Sequence, residues 1–311
     1  MTCSPSPRSR SMSTPACPSP TASPSTARYP SGGRVWTATR HRLTLHYPRP
    51  VPINSSEITP KVVDSLGAVV EAVVAATASH GRPLWYRGQQ HVGWDVQASV
   101  HRDYTADDER DFTNRFRSRA GMRYQHTPAH GDQAAWLSLM QHYGLPTRLV
   151  DWTQSPLVAA YFAVEPHISN RLAPTPEVDV VIWVLRPHAL NRIKGGTDVT
   201  PSINGELCRP LLAPAFDHEA PEVGLVRAVM GSETDLRLFV QQGCFTIHGD
   251  RTPLNRMEGH ARFLDALVIP AAQVQRMAHE LDVCSFRQGD IFPDLGHLAA
   301  ELKETHRPSG F

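Results

Sequence analysis

Apolar residues recur at helical spacing where the polar N-terminal stretch ends. A hydroxyl residue followed by proline, Thr59-Pro60, is typical of a helix start, because threonine caps the first turn and proline suits its first position. The pattern therefore predicts a helix from about residue 60 whose buried face carries Val62, Val63, Leu66, Val69, Val70, Val73 and Val74.

The middle of the chain predicts a strand between two helices. Asp132 is placed to cap one helix, and Gly144 followed by Pro146 is placed to end it. A short strand over 148–152 follows. Thr153 or Ser155 then caps an apolar helix that Pro156 opens.

Further elements complete the predicted fold. A surface helix is expected over 107–122 with Phe112, Phe116 and Ala120 inward, and strands are expected over 84–86, 178–185, 244–248 and 266–269, with a helix from about residue 271. Strands and helices mix without strict alternation. This favours an α+β fold with a mixed central sheet and flanking helices over a doubly wound parallel sheet.

Composition separates a tail from a folded domain. Residues 1–33 hold seven of the 27 prolines, and such a Pro/Ser-rich chain buries too little apolar area to fold. We expect 1–53 to be a disordered Pro/Ser/Arg-rich tail and linker, and 54–308 to be the domain. The longest nearly apolar run, 66–78, is shorter than the about 20 residues that a membrane helix needs, and the scattered cysteines suit a reducing, cytoplasmic compartment.

Charge and missing motifs exclude several function classes. Residues 1–56 carry seven arginines and no Asp, Glu or Lys, so the rest of the chain has a net charge of −6, which argues against a generic nucleic-acid binder. Neither a G-x-G-x-x-G loop nor a P-loop is present, and no G-x-S-x-G elbow surrounds Ser138. The histidines show no helical ligand pair, so no metal is expected.

The most informative stretch is 141–153, which places many hydrogen-bonding side chains between two apolar helices. Loops of this kind often carry binding groups. We predict that Arg148 and Asp151 form an ion pair in the wall of a cleft, with His142 nearby. The alternative is that the pair only closes a turn and His142 only ends a helix.

Several motifs in order resemble those of the FRG-domain family, named for a Phe-Arg-Gly motif that is Tyr86-Arg87-Gly88 here. The resemblance runs from Leu84 to the C-terminus. It includes the block 141–153 and the helix 156–163, and its other residues are Trp94, the segment 98–102, Arg237, Gln241, Gly243, Phe245 and the segment 292–295. The family is known mostly as a bacterial domain of unassigned activity in defence and mobile-element settings.

The layout also resembles ADP-ribosyltransferase folds, and that resemblance implies a site for NAD as a substrate. Arg87 would stand at a strand end and point into a cleft lined by His142 and Asp151. The implied nucleotide-binding residues are Arg87, Gly88, Tyr143, Arg148, Thr153 and Tyr161, and the implied catalytic residues are Asp151, His142 and Gln241. A guanidinium matches a diphosphate, and Tyr143 or Tyr161 would stack on nicotinamide.

One departure leaves two alternatives open. Those transferases hold the ribose with a glutamate on a late strand, where this chain offers Gln241. Either Asp151 supplies the carboxylate from another direction, or the domain binds a nucleotide without fast chemistry.

The expected function is accordingly an NAD-consuming transferase or glycohydrolase that acts as a toxin or defence effector on an unknown acceptor, a protein or a nucleic acid. The alternative is a non-catalytic module that binds a nucleotide or a protein in a regulatory or defence complex. RNA modification on the same fold is a third possibility that the acidic body disfavours.

Overall fold

The computed structural model describes residues 58–169, 174–231 and 236–306, which fall in one compact unit. The predicted tail, 1–53, and both predicted domain boundaries lie outside the described residues, so they stay predictions.

The described strands form one seven-stranded sheet with the order β1-β7-β4-β2-β3-β6-β5. Neighbouring strands are antiparallel except for β1 and β7, which are parallel. The strands are β1 (Lys61–Val62), β2 (Trp85–Gln89), β3 (Leu149–Thr153), β4 (Val180–Leu185), β5 (Val226–Met230), β6 (Gly243–His248) and β7 (Leu264–Ile269).

Helices flank this sheet, and several are single turns between longer elements. They are α1 (Leu66–His80), α2 (Val100–Asp103), α3 (Ala106–Ala120), α4 (Gln133–His142), α5 (Pro156–Ser169), α6 (Pro187–Gly195), α7 (Arg209–Leu212), α8 (Leu236–Val240), α9 (Val274–Val283), α10 (Gln288–Ile291) and α11 (Leu295–Thr305). The predicted α+β class with a mixed sheet and flanking helices is confirmed.

The predicted helix start at Thr59-Pro60 is wrong. The hydroxyl of Ser65 accepts a hydrogen bond from the main chain of Ala68 and caps α1, while Val62 belongs to β1. The buried face consequently shifts. Val63, Leu66 and Val69 are buried and Val73 is half-buried, but the other predicted members Val62, Val70 and Val74 are exposed.

The predicted helix, strand and helix in the middle of the chain are confirmed as α4, β3 and α5. Asp132 caps α4 by accepting from the main chain of Ala135, and Gly144 takes the left-handed conformation after it. The Ser155 hydroxyl accepts from the main chain of Val158 at the start of α5. These local signals place β3 between two helices.

Alternation along the strands divides the core in two. On one face of the sheet, β2, β3 and β6 present Tyr86, Leu149 and Phe245 to α1, α3, α4, α5 and α9. On the other face, Trp85 and Trp152 pack against α6 and the chain around Val96. In the part of the chain that is described, no helix is both long and apolar enough to cross a bilayer.

Candidate functional site

A cavity of about 530 Å³ opens beside the carboxyl-terminal half of α4. One face of that helix forms a wall, since residues three or four apart line up. Strand β3 contributes Asp151, strand β6 contributes Phe245, and Arg237 and Gln241 come from α8 and its end. The helix residues in the wall are Ala135, Ser138, Leu139, Gln141 and His142.

Asp151 enters this cavity because of the strand alternation. It stands opposite Phe245 in the β3–β6 ladder, on the face of the sheet that α4 covers, and it is exposed. Among the residues that the structure describes, none donates a hydrogen bond to the Asp151 carboxylate or forms an ion pair with it. The cavity therefore offers a carboxylate that can accept hydrogen bonds from a ligand.

Gln241 is held in the lining of the cavity by two contacts. Its side-chain Nε2 donates 3.0 Å to the main-chain oxygen of Ile291, and its own main-chain oxygen accepts 2.6 Å from the Thr153 hydroxyl. No described residue donates to the side-chain oxygen of Gln241, which can therefore accept from a ligand. Thr153 thus orients Gln241 from the end of β3.

Arg237 supplies the cation of the cavity. Its Nη1 donates 3.4 Å to the main-chain oxygen of His142, and its guanidinium lies 5.0 Å from the centre of the Phe292 ring. Both contacts hold the guanidinium at the cavity that Asp151 and Gln241 also line. Arg237 is one of the residues on which the resemblance to the FRG-domain family rests, and the sequence predicts no role for it.

Tyr143 does not line the cavity, but it contacts two residues that do. Its ring is 58% exposed and lies edge-on to two cavity rings, 4.9 Å from His142 and 6.1 Å from Tyr124. An exposed ring in this place can cover a flat ligand.

The prediction that Arg148 pairs with Asp151 is wrong. Arg148 is buried, and its guanidinium donates 3.0 Å to Glu109 and 3.0 Å to the main-chain oxygen of Leu211, with Glu222 also in range. Burial opposes its charge, but the bonds to Glu109 and Glu222 overcome this and raise the pKa of Arg148. Arg148 therefore ties β3 to α3 and does not line the cavity.

Arg87 departs from its predicted position. It lies in the middle of β2 and not at a strand end. The strand register places the Arg87 side chain on the same face of the sheet as Trp152, whereas the Asp151 side chain is on the other face. Its Nη1 donates 2.7 Å to the main-chain oxygen of Asp151. Burial lowers the pKa of Arg87, Asp151 opposes this, and Arg102 adds to it. The guanidinium holds β3 in place and does not line the cavity.

Gly88 and Tyr161 have packing roles. A β-carbon on Gly88 would lie 2.0 Å from the main-chain oxygen of Ala159 and 2.5 Å from the main-chain nitrogen of Ala163, so only glycine lets α5 approach β2 this closely. Tyr161, one of the two rings expected to stack on nicotinamide, is fully buried in the core and does not line the cavity.

Sequence reasoning missed Glu109, although a signal was present. The surface helix was predicted to turn Phe112 and Phe116 inward, and Glu109 lies three residues before Phe112 on that same face. A carboxylate on an inward face needs a buried cation, and Arg148 provides it.

The fold and the site define an α+β protein with a polar cavity between α4, β3 and the end of α8. Residues 82–171 match the FRG domain family, so the chain contains an FRG domain. The match begins just before β2 and ends after α5; it includes His142 and Asp151, while Arg237 and Gln241 follow it. No curated protein and no solved structure matches this chain.

Proposed function

We propose that the cavity binds a nucleotide and that NAD is its substrate. The observation that carries the proposal is the Asp151 carboxylate, which has no partner among the described residues and shares the cavity with Arg237 and Gln241. A volume of about 530 Å³ lies within the range of roughly 300–1,000 Å³ that is usual for small-molecule sites.

The chemistry of nicotinamide release explains why a free carboxylate in the cavity suggests NAD as the substrate. When the bond between the ribose carbon and the nicotinamide nitrogen breaks, its electron pair leaves with neutral nicotinamide, and positive charge develops on the ribose. A fixed carboxylate near that carbon stabilises this charge most in the transition state. Asp151 would provide it, in place of the glutamate that the transferase resemblance implies.

The remaining residues would bind and orient. The side-chain oxygen of Gln241 would accept from a ribose hydroxyl, Arg237 would pair with the diphosphate, and Tyr143 would cover the nicotinamide ring. His142 would take the proton from the attacking nucleophile. With water as the nucleophile, the products are ADP-ribose, nicotinamide and a proton; with another acceptor, ADP-ribose stays on it.

The biological role follows from the same proposal. An enzyme that consumes NAD suits a toxin or defence effector of the bacterial cytoplasm, the setting that the family resemblance implies. Its acceptor would be water, a protein or a nucleic acid.

Release of nicotinamide from NAD by the purified full chain tests the chemistry. We expect Asp151→Asn to lower the rate by about 10²–10³, because the charge is lost while the shape is kept. Asp103→Asn is the matched control, since Asp103 is exposed on α2 and outside the cavity. A wild-type protein that releases no nicotinamide, or an Asp151→Asn variant as fast as wild type, contradicts the proposal.

A second function, a non-catalytic protein-binding module, is favoured by one observation. Helix α11 exposes Leu295, Leu298 and Leu302 by 82%, 45% and 50%, and their spacing places them on one helical stripe. Exposed apolar stripes of this kind often mark interaction surfaces. Under this function the wild-type chain would leave NAD intact, which the same assay detects.

A further inference from the structure

A second cavity, of about 260 Å³, lies at the end of α1 and the start of α6. Its walls come from His80, from the chain that leads into β2 and from the first turns of α6. It shares no lining residue with the Asp151 cavity.

Four arginines line this second cavity, and two of them already have partners. Arg82 forms an ion pair of 3.0 Å with Asp198, and Arg186 pairs with Asp265. Arg192 and Arg262 are exposed, and neither has a hydrogen-bond or ion-pair partner among the described residues. Four guanidinium groups against two carboxylates leave two positive charges unbalanced.

The wall is rigid where Arg186 stands. Its Nε donates 2.7 Å to Nε2 of His80, and its Nη1 donates 3.0 Å to the main-chain oxygen of Ala261. His80 accepts this bond in its neutral form, and burial first, then Arg186, lowers its pKa. Arg186 is therefore held in one orientation before any ligand arrives.

The two arginines without partners reach the cavity from different elements. Arg192 lies one turn after His188 on α6, so both side chains are on the same side of that helix. Arg262 ends the short helical turn His260–Arg262, which leads to β7. Two cations on separate elements can hold one anion between them.

We propose that this cavity binds the dianionic phosphate group of a small phosphorylated ligand, with Arg192 and Arg262 as its main contacts. The two unbalanced positive charges match a phosphate monoester, and guanidinium forks suit its oxygens. The volume leaves room for part of an attached group beside the phosphate. The phosphate would come from a free phosphate ion or from a nucleoside monophosphate.

Calorimetric titration of the full chain with inorganic phosphate, AMP and adenosine tests this site. We expect phosphate and AMP to bind and adenosine not to bind. Equal affinities for phosphate and AMP would identify free phosphate as the ligand, and tighter AMP binding would identify the nucleotide. The double variant Arg192→Gln/Arg262→Gln should weaken phosphate binding by about tenfold or more, since two charge-assisted contacts are lost.

The matched control removes two surface arginines elsewhere. Arg115 and Arg209 are 67% and 76% exposed, and Arg115→Gln/Arg209→Gln should bind phosphate like wild type. A Ser138→Trp variant, which fills the Asp151 cavity, should also keep phosphate binding. The proposal is overturned if wild type binds neither phosphate nor AMP at millimolar concentration, if the two double variants lose binding equally, or if only Ser138→Trp loses it.

Discussion

At the scale of single residues, the two arginines of the sequence motifs support the cavity and do not line it. Arg148 bonds Glu109 and the Leu211 carbonyl in the interior, and Arg87 bonds the main-chain oxygen of Asp151. Burying a guanidinium costs less when its donors are bonded. All three nitrogens of Arg148 donate, whereas Nε of Arg87 has no partner among the described residues. Arg87 contacts the chain of β3, Arg148 directly precedes that strand, and no described residue forms an ion pair with Asp151.

Removing one partner of the buried pair should be costly. Glu109→Gln leaves the Arg148 charge without its main carboxylate, so we expect the free energy of unfolding to fall by about 3–5 kcal/mol. Glu222 is 44% exposed, so Glu222→Gln should cost about 1 kcal/mol or less. Urea unfolding of both variants measures the difference. Equal losses would show that burial does not set the strength of these contacts.

The sequence predicted which residues line the cavity better than it predicted which side chains form ion pairs. His142, Asp151 and Gln241 were named from the motif and the family resemblance, and all three line one cavity. The ion-pair prediction failed because Arg148 found Glu109 and Glu222, which lie 39 and 74 residues away in the chain. A sequence motif shows only which residues are close along the chain. An ion pair forms between residues that are close in the folded structure, and these can be far apart in sequence.

At the scale of elements, the packing of α5 on β2 sets the distance between the helix layer and the sheet. Gly88 is the contact point, because the main chain of Ala159 occupies the place of its missing β-carbon. Steric exclusion of a β-carbon thus explains why glycine occupies this position of the motif.

Alanine substitutions at two glycines should therefore act in opposite directions. Gly88→Ala forces α5 away from β2 and should lower the free energy of unfolding by about 3 kcal/mol, at the upper end for overpacking. Gly67→Ala in α1 meets no atom within 4 Å and should stabilise the protein by about 0.5 kcal/mol, because alanine favours helix. Melting temperatures compare the two, and a Gly88→Ala variant as stable as Gly67→Ala would refute the steric account.

Elements with local signals were predicted well, and the predicted strands over 84–86, 178–185, 244–248 and 266–269 correspond to β2, β4, β6 and β7, whereas β1 was not predicted. The caps at Asp132 and Ser155 lie within a few residues of the groups that they satisfy, so α4 and α5 were found. The sequence predicts helix where β1 lies, because β1 depends on pairing with the distant strand β7, in which Leu267 is the partner of Lys61. The sequence around residue 61 does not indicate this pairing.

At the scale of the whole molecule, the Asp151 cavity needs more of the chain than the FRG match. Residues 82–171 supply α4 and β3, but Arg237 and Gln241 come from the chain after β5. The long-range β3–β6 ladder brings these parts together. We therefore expect function to require both parts of the sheet.

If the Asp151 cavity binds a nucleotide, it should also bind ADP-ribose, a product that is not consumed, and calorimetric titration measures this binding. Ser138 lines the cavity, so Ser138→Trp should fill it and abolish binding, whereas Ser118→Trp on the exposed side of α3 should bind like wild type. Melting temperatures establish that both variants fold. Wild type and Ser118→Trp should bind ADP-ribose, and Ser138→Trp should not. No binding by wild type, or unchanged binding by Ser138→Trp, would contradict a nucleotide site in this cavity.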